Sequence, residues 1–430
     1  MHTCPAVYDT HGMNDITTGN ELSERISAAA LEIEDKVIAW RRDIHEHPEL
    51  SYQETRTAAL AAEHLKKLGY EVKTGVGITG VVGVLRGGKP GGVVALRADM
   101  DALPVEEKVD LPFASKAKQQ YLGQTVPVMH ACGHDCHVAI LMGVAEILAG
   151  MKDEIPGTVK LIFQPNEEGS NDGRPSGAEA MIADGCMQNP APSAVFGLHV
   201  TSGIRSGVIA LRPGGLMASA DRLKIDVEGR QTHGSQPWRG IDPVVTSAQI
   251  ILALQTIVSR QLDPTLSPAV ISISTIHGGV RNNILPDSVA MEGTIRTHDE
   301  GVRTDIRKRI EKTAGAIADA AGAKATVTVF DGVPVTYNDP PLTDWGTNSL
   351  KNGLDTQRVT EVRPVMGAED FSYLAQVVPG MFFFLGVVPP DVDPLQAPAN
   401  HSPLFRVDEP ALKYGVRALS YLAVDYLKRK

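Results

Sequence analysis

Cysteine is scarce in this chain. Four residues (Cys4, Cys132, Cys136 and Cys186) among 430 cannot staple a scaffold of this size, so a reducing, cytoplasmic setting is expected, with thiols free to bind metal. No apolar run approaches the roughly 20 residues that span a bilayer, so no membrane partner is expected. The opening MHTCPAVYDTHGMND lacks the basic stretch and apolar run of a secretory leader. Positive charge is in deficit as well: 41 Lys and Arg against 51 Asp and Glu give a net charge of -10. Such a surface repels phosphate backbones, which argues against a nucleic-acid partner. Internal repeats and low-complexity tracts are also missing.

What remains is an ordinary globular composition, 43% hydrophobic and 21% charged, in a chain long enough for about two domains. Residues up to Leu22 read as a poorly ordered lead-in, followed by one helix from Ile26 to His47, before Pro48. Ser51 and Glu54 have capping-box spacing ahead of a helix that Gly69 ends. Short β-rich runs come next, and VVALRA is apolar almost throughout, as suits a strand buried on both faces of a mainly parallel sheet. Helices and strands then alternate to AVFGLHV. This predicts an α/β domain with helices on both faces of the sheet. From about Met217 the order changes to β-α-β-β-α-β, with Asp242 and Pro243 opening the first helix; that is a ferredoxin-like α+β unit. The expected division is a discontinuous catalytic domain, 23–215 and 333–430, with an inserted lid and dimerisation domain, 216–332.

The densest chemistry lies in MHACGHDCHVA, where His130, Cys132, His134, Asp135, Cys136 and His137 crowd together just ahead of a helix. A zinc finger is excluded because no second Cys/His pair lies nearby, and H-E-x-x-H is absent. Glu167 and Glu168 follow the strand TVKLIF. Adjacent side chains diverge, so one carboxylate can bind metal while its neighbour acts as general base. Asp99 and Asp101 follow VVALRA, His199 ends AVFGLH, and His401 precedes the last helix. Metal-compatible side chains at several strand ends of one domain point to a single centre, since open α/β sheets place ligands at carboxyl ends. Taken singly, each of these residues also suits a structural role.

RDIHEHPE, RADMDALP, MHACGHD, FQPNEEG, GLHV, THGSQP, NILPD, GAEDF and HSPLF occur in this order. The series resembles the di-metal aminoacylase and carboxypeptidase family, in its branch of hippurate hydrolases, auxin–amino acid conjugate hydrolases and N-acetyldiaminopimelate deacetylases, over nearly the whole chain from Val37. The resemblance implies an amidohydrolase of N-acyl amino acids, with a metallo-carboxypeptidase or dipeptidase as the alternative and an inactive binding protein behind both. It implies two divalent ions (zinc, manganese, nickel or cobalt) bridged by Cys132, with His134 and His199 on one and Glu168 and His401 on the other. Glu167 is then the general base and Asp101 an orienting residue, while Asp99 is no ligand. It implies that His233 stabilises the oxyanion, reaching across a homodimer formed through the lids, or a larger assembly. Asn283, Arg296 and Gly367 would contact the small N-acyl amino acid or peptide. Two departures stand out: Cys136 replaces a usual glycine, where it is expected to pack the helix start, and the polar segment after Glu168 is long.

Overall fold

The computed structural model describes the backbone of residues 11–429 and the side chains of residues 21–429. Along the chain come α1 (His11–Glu32), α2 (Glu34–Glu46), α3 (Thr55–Lys67), β1 (Glu71–Val76), β2 (Gly80–Arg86), β3 (Lys89–Asp99), the hairpin β4 (Lys118–Tyr121) and β5 (Gln124–Pro127), α4 (His134–Gly150), β6 (Pro156–Gln164), α5 (Gly177–Ala183), β7 (Ala194–Arg205) and β8 (Ile209–Leu211). Then follow β9 (Gly214–Met217), β10 (Ala220–Glu228), β11 (Thr232–His233), α6 (Pro243–Thr256), β12 (Ala269–His277), β13 (Ile284–Leu285), β14 (Ser288–Thr297), α7 (Glu300–Ala320), β15 (Lys324–Val333) and β16 (Thr336–Asn338). The last part holds α8 (Pro340–Gly353), β17 (Val359–Glu361), α9 (Phe371–Val377), β18 (Gly380–Val388) and α10 (Leu412–Lys428).

Two compact units result: Met1–Pro213 with Asn338–Val362 and Tyr373–Lys430, and Gly214–Tyr337 with Arg363–Ser372. The expected boundaries need correction on the return side, because residues 333–337 and 363–372 cluster with the second unit. Backbone bonds explain the second segment's allegiance: Val365 N donates to Leu216 O, and Ala218 N to Gly367 O at 2.8 Å. His298 adds a bond from its ring to Val365 O. No sequence periodicity marks such a short return segment.

In the first unit an eight-stranded sheet runs β1-β2-β6-β3-β7-β18-β8-β17. Its central run, β6-β3-β7-β18, is parallel throughout. Register sets the site: Asp99 pairs with Gln164, and Arg97 with Gly197, so Asp99 and His199 end at one level. These strands are buried on both faces, as the VVALRA run predicts. Helix α4 is apolar on every side and almost wholly buried.

Three local expectations need revision. Of the lead-in, residues 1–10 lie outside those described, and His11 to Leu22 belong to α1. The single helix from Ile26 is two, divided at buried Ile33 (φ -101°, ψ 2°); neither proline nor glycine marks the break. Ser51 and Glu54 form no capping box. The N–H groups of Arg56 and Thr57 donate instead to the carboxylate of Glu49, at 2.8 Å each. A true capping box opens α5, between Ser176 and Glu179.

The second unit carries the sheet β12-β14-β10-β15, antiparallel at every pairing, with α6 and α7 connecting its strands. That is the strand order of the expected ferredoxin-like unit. Asp242 caps α6, accepting from Val244 N and Val245 N. Its core gathers Leu223, Ile225, Val227, Ile250, Ile295, Ile306 and Ile310.

One buried charge yields a test of stability against pH. Lys160 on β6 is 1% exposed and donates to Cys186 O and Gln188 O, each at 2.7 Å. Burial lowers its amine to about 8. Between that value and the unfolded value of roughly 10.4 the unfolded chain binds more protons, so this lysine makes stability rise with pH. Lys160→Met strands two carbonyls at about 1–3 kcal/mol and removes the rise. In denaturant titrations, the gap between wild type and variant should widen from pH 8 to pH 10. A constant gap would show the amine unperturbed.

Candidate metal centre

Four chain segments of the first unit converge beyond the carboxyl ends of β3, β6 and β7. Cys132 and His134 come from the turn into α4, where Gly133 adopts φ +96° and a Cβ would stand 2.3 Å from Val200 Cγ2. Only glycine fits there. Glu167 and Glu168 follow β6, His199 lies on β7, and His401 sits in the loop before α10 at φ 72°. Asn400 holds that loop, donating to Cys132 O at 2.9 Å and Val200 O at 3.0 Å.

The donor atoms form two triads that share one sulfur: Cys132 with His134 and His199, and Cys132 with Glu168 and His401. Cys132 Sγ is 3.2 Å from both His199 Nε2 and His401 Nε2. Glu168 Oε1 is 3.3 Å from His401 Nε2 and 4.0 Å from His134 Nε2. Ligands at 2.0–2.3 Å from a tetrahedral ion stand about 3.5 Å apart, so these spacings fit metal binding. Two histidines are turned for it by backbone carbonyls. His134 Nδ1 donates to Asp101 O (2.8 Å) and His199 Nδ1 to Val200 O (2.7 Å), which leaves each Nε2 facing inward. His134 Nε2 is buried without a hydrogen-bond partner.

Electrostatics point the same way. Burial opposes charge on His134, yet Asp99 and Asp101 outweigh it and push the imidazole up to about 10. Burial, reinforced by Glu168 and Glu167, holds the Cys132 thiol well above its ordinary value. Burial keeps His199 well below its own. So many carboxylates around one imidazolium form a cradle for a cation.

The Asp101 carboxylate accepts from Glu167 N at 3.1 Å and Glu168 N at 3.0 Å. Asp99 pairs with Arg97 at 2.7 Å and with the ring of His137. Because His137 Nε2 accepts from Val200 N, its Nδ1 carries the proton toward Asp99. His137 thus braces the strand segment bearing His199, a role that spacing alone does not reveal. Asp99, His134 and His137 also form a donor group of their own. Cys136 lies in the core, its thiol pushed well up by burial, and belongs to no donor cluster among the described residues.

The other candidates lie in the second unit. His233, on β11, pairs with Ile284, and Asn283 accepts from Gly234 N at 2.8 Å, so His233 and Asn283 are neighbours. Arg296 is on β14, held by Thr294 Oγ1 at 2.6 Å, and Gly367 is exposed on the 363–372 segment.

Thiol, imidazole and carboxylate donors gathered at the strand ends of a mainly parallel sheet are the makings of a metal-dependent amidohydrolase. The model of peptidase family M20/M25/M40 matches residues 95–425, and the chain belongs to that family. It is 47% identical to thermostable carboxypeptidase 2 of Saccharolobus solfataricus, over 94% of this chain and 99% of the relative. It is 38% identical to N-acetyl-L-cysteine deacetylase of Bacillus subtilis, over 98% and 94%. A solved Bacillus subtilis structure, described as a dinuclear metal-binding peptidase of the M20 family, superposes with TM-score 0.77 at 33% identity, over 92% of this chain and 99% of that one. No helix among the described residues is long and apolar enough to cross a membrane.

Proposed function

We propose that this hydrolase cleaves the amide bond of small N-acyl amino acids in the cytoplasm, using two divalent ions held by the two triads that share Cys132. The shared sulfur, 3.2 Å from an imidazole of each triad, carries the proposal. A divalent pair held there supplies Lewis acidity and lowers the pKa of water. Glu167 Oε2, 3.9 Å from His134 Nε2, takes the water's proton and returns it to the leaving amine. Adjacent Glu168 faces His401, so the two glutamates divide the work of base and ligand.

His233 is suited to stabilise negative charge on the carbonyl oxygen. Its Nδ1 accepts from Ser235 N, which leaves the proton on Nε2 as an outward donor. Asn283, Arg296 and Gly367 are proposed to contact the substrate carboxylate and its surroundings. The ferredoxin-like unit is proposed as lid and dimerisation domain, because both outer strands of its sheet, β12 and β15, are edges that need cover.

Carboxypeptidase action is the second reading, favoured by the 47% identical relative. Metal-depleted protein, assayed with and without zinc, manganese, cobalt or nickel against N-acetyl, N-benzoyl and indole-acetyl amino acids and against peptides, separates the two. Metal-restored cleavage of acyl amino acids is the expected result. Peptides alone being cleaved would transfer the assignment to carboxypeptidase, and no cleavage by metal-loaded protein would sink both.

A further inference from the structure

Ser51 and Glu54, which the spacing marks as a helix cap, serve the loop of Glu167 and Glu168 instead. Three successive N–H groups of that loop end on two buried carboxylates. Asn166 N donates to Glu54 at 2.9 Å, and Glu167 N and Glu168 N donate to Asp101. Ser51 Oγ donates to Asp101 Oδ2 at 2.7 Å, so the same turn fixes the second carboxylate too. Glu54 is fully buried. Its Oε1 also accepts from Tyr52 N (2.8 Å), and its Oε2 from Thr79 Oγ1 (2.6 Å).

The loop needs such a grip, because Asn166 stands at φ 50°, a conformation that costs free energy for a residue with a side chain. Its side chain donates to Pro175 O at 3.1 Å, and Tyr52 Oη donates to the same oxygen at 2.8 Å. The turn before α3 therefore clasps both ends of the polar segment that follows Glu168.

We infer that Glu54 is a positioning residue for hydrolysis: by accepting Asn166 N it fixes the backbone from which Glu167 and Glu168 project. Its action rests on hydrogen-bond acceptance, not on charge. Burial and neighbouring Asp101 raise its carboxyl to about 7, so the neutral form stands close in energy. A glutamine can keep Oε1 on the two N–H groups and turn Nε2 to Thr79 Oγ1.

The inference rests on the proposed role of Glu167, and its test keeps the two apart. Metal-loaded full-length Glu54→Ala, Glu54→Gln and Glu49→Ala are compared with wild type. Glu49 is the control, because its carboxylate caps α3 and touches nothing in the loop. Hydrogen–deuterium exchange of a peptide spanning 165–169 should quicken roughly tenfold in Glu54→Ala, as one lost hydrogen bond predicts, and stay unchanged in Glu54→Gln and Glu49→Ala. In the amide assay, kcat of Glu54→Ala should fall on the order of 100-fold, the effect of a misplacement of about 1 Å, with KM within about threefold. Glu54→Gln should restore it, and Glu49→Ala should lose thermal stability without that kcat loss.

Unchanged exchange in Glu54→Ala overturns the inference, and so does quickened exchange with unchanged kcat. Loss in Glu54→Gln equal to that in Glu54→Ala overturns it as well, since charge would then be what matters. If wild type cleaves no amide, the proposed function fails while the exchange arm still decides whether Glu54 grips the loop.

Discussion

Glu167→Gln should lower kcat by roughly 10²–10⁴-fold, the range for removing a general base, while the metal content stays that of wild type. The two adjacent glutamates make the result specific. Glu168 Oε1 faces His401 at 3.3 Å and belongs to a donor triad with Cys132. The Glu167 carboxylate approaches the metal site from its other side, 3.9 Å from His134 Nε2, and shares a donor group with His134 and Glu168. Glutamine keeps the size and the backbone bond to Asp101 but cannot accept a proton from water at neutral pH. Because the loss falls on the transition state, KM should move little. Metal analysis with steady-state kinetics decides the matter: wild-type kcat in a metal-loaded Glu167→Gln protein would remove Glu167 from the base role. Glu168→Gln should differ in kind, losing metal as well as rate.

The second large effect is expected at Cys132. Substituting alanine removes the donor common to both triads and leaves two pairs, His134 with His199 and Glu168 with His401, neither sufficient for a divalent ion. Affinity for both ions should drop roughly 100-fold or more, beyond the range for orienting residues, and activity should fall with it. His401→Ala removes a donor from one triad only and should weaken a single ion. Two ions retained by Cys132→Ala, measured by elemental analysis after dialysis, would break the shared-ligand reading. In wild type, burial and the nearby glutamates hold the thiol proton, which must leave on loading. Metal affinity should therefore climb with pH and protons should be released on binding.

These expectations began as residue patterns, and the fold shows why some patterns were legible. The parallel strands announce themselves because burial on both faces demands unbroken apolar runs, as in β3, β6 and β18. The ferredoxin-like unit is readable because two long helices alternate with strands in a fixed order. Donors were legible through their density around Cys132 and through their positions at strand ends. The hairpin β4–β5 has no apolar run to mark it. Helix α8, by contrast, carries signals a linear reading can use: Asp339 and Pro340 open it as Asp242 and Pro243 open α6, and Leu342, Gly346 and Leu350 line its buried face.

Ser51 and Glu54 show the limit most clearly. Their spacing fits a cap, and a linear reading has no means of knowing that Glu49 already takes the N–H groups of α3. His137 is similar: its pairing with Asp99, 38 residues away, exists only because β3 and α4 meet beside β7. By itself the sequence determined the architecture and the inventory of donors, because burial periodicity and side-chain chemistry are local properties. Tertiary structure alone decided which nitrogen each histidine presents, that His137 braces the strand bearing His199, and that the turn before α3 grips the Glu167 loop. Those outcomes depend on strand register and on hydrogen bonds between distant segments, which no local pattern encodes.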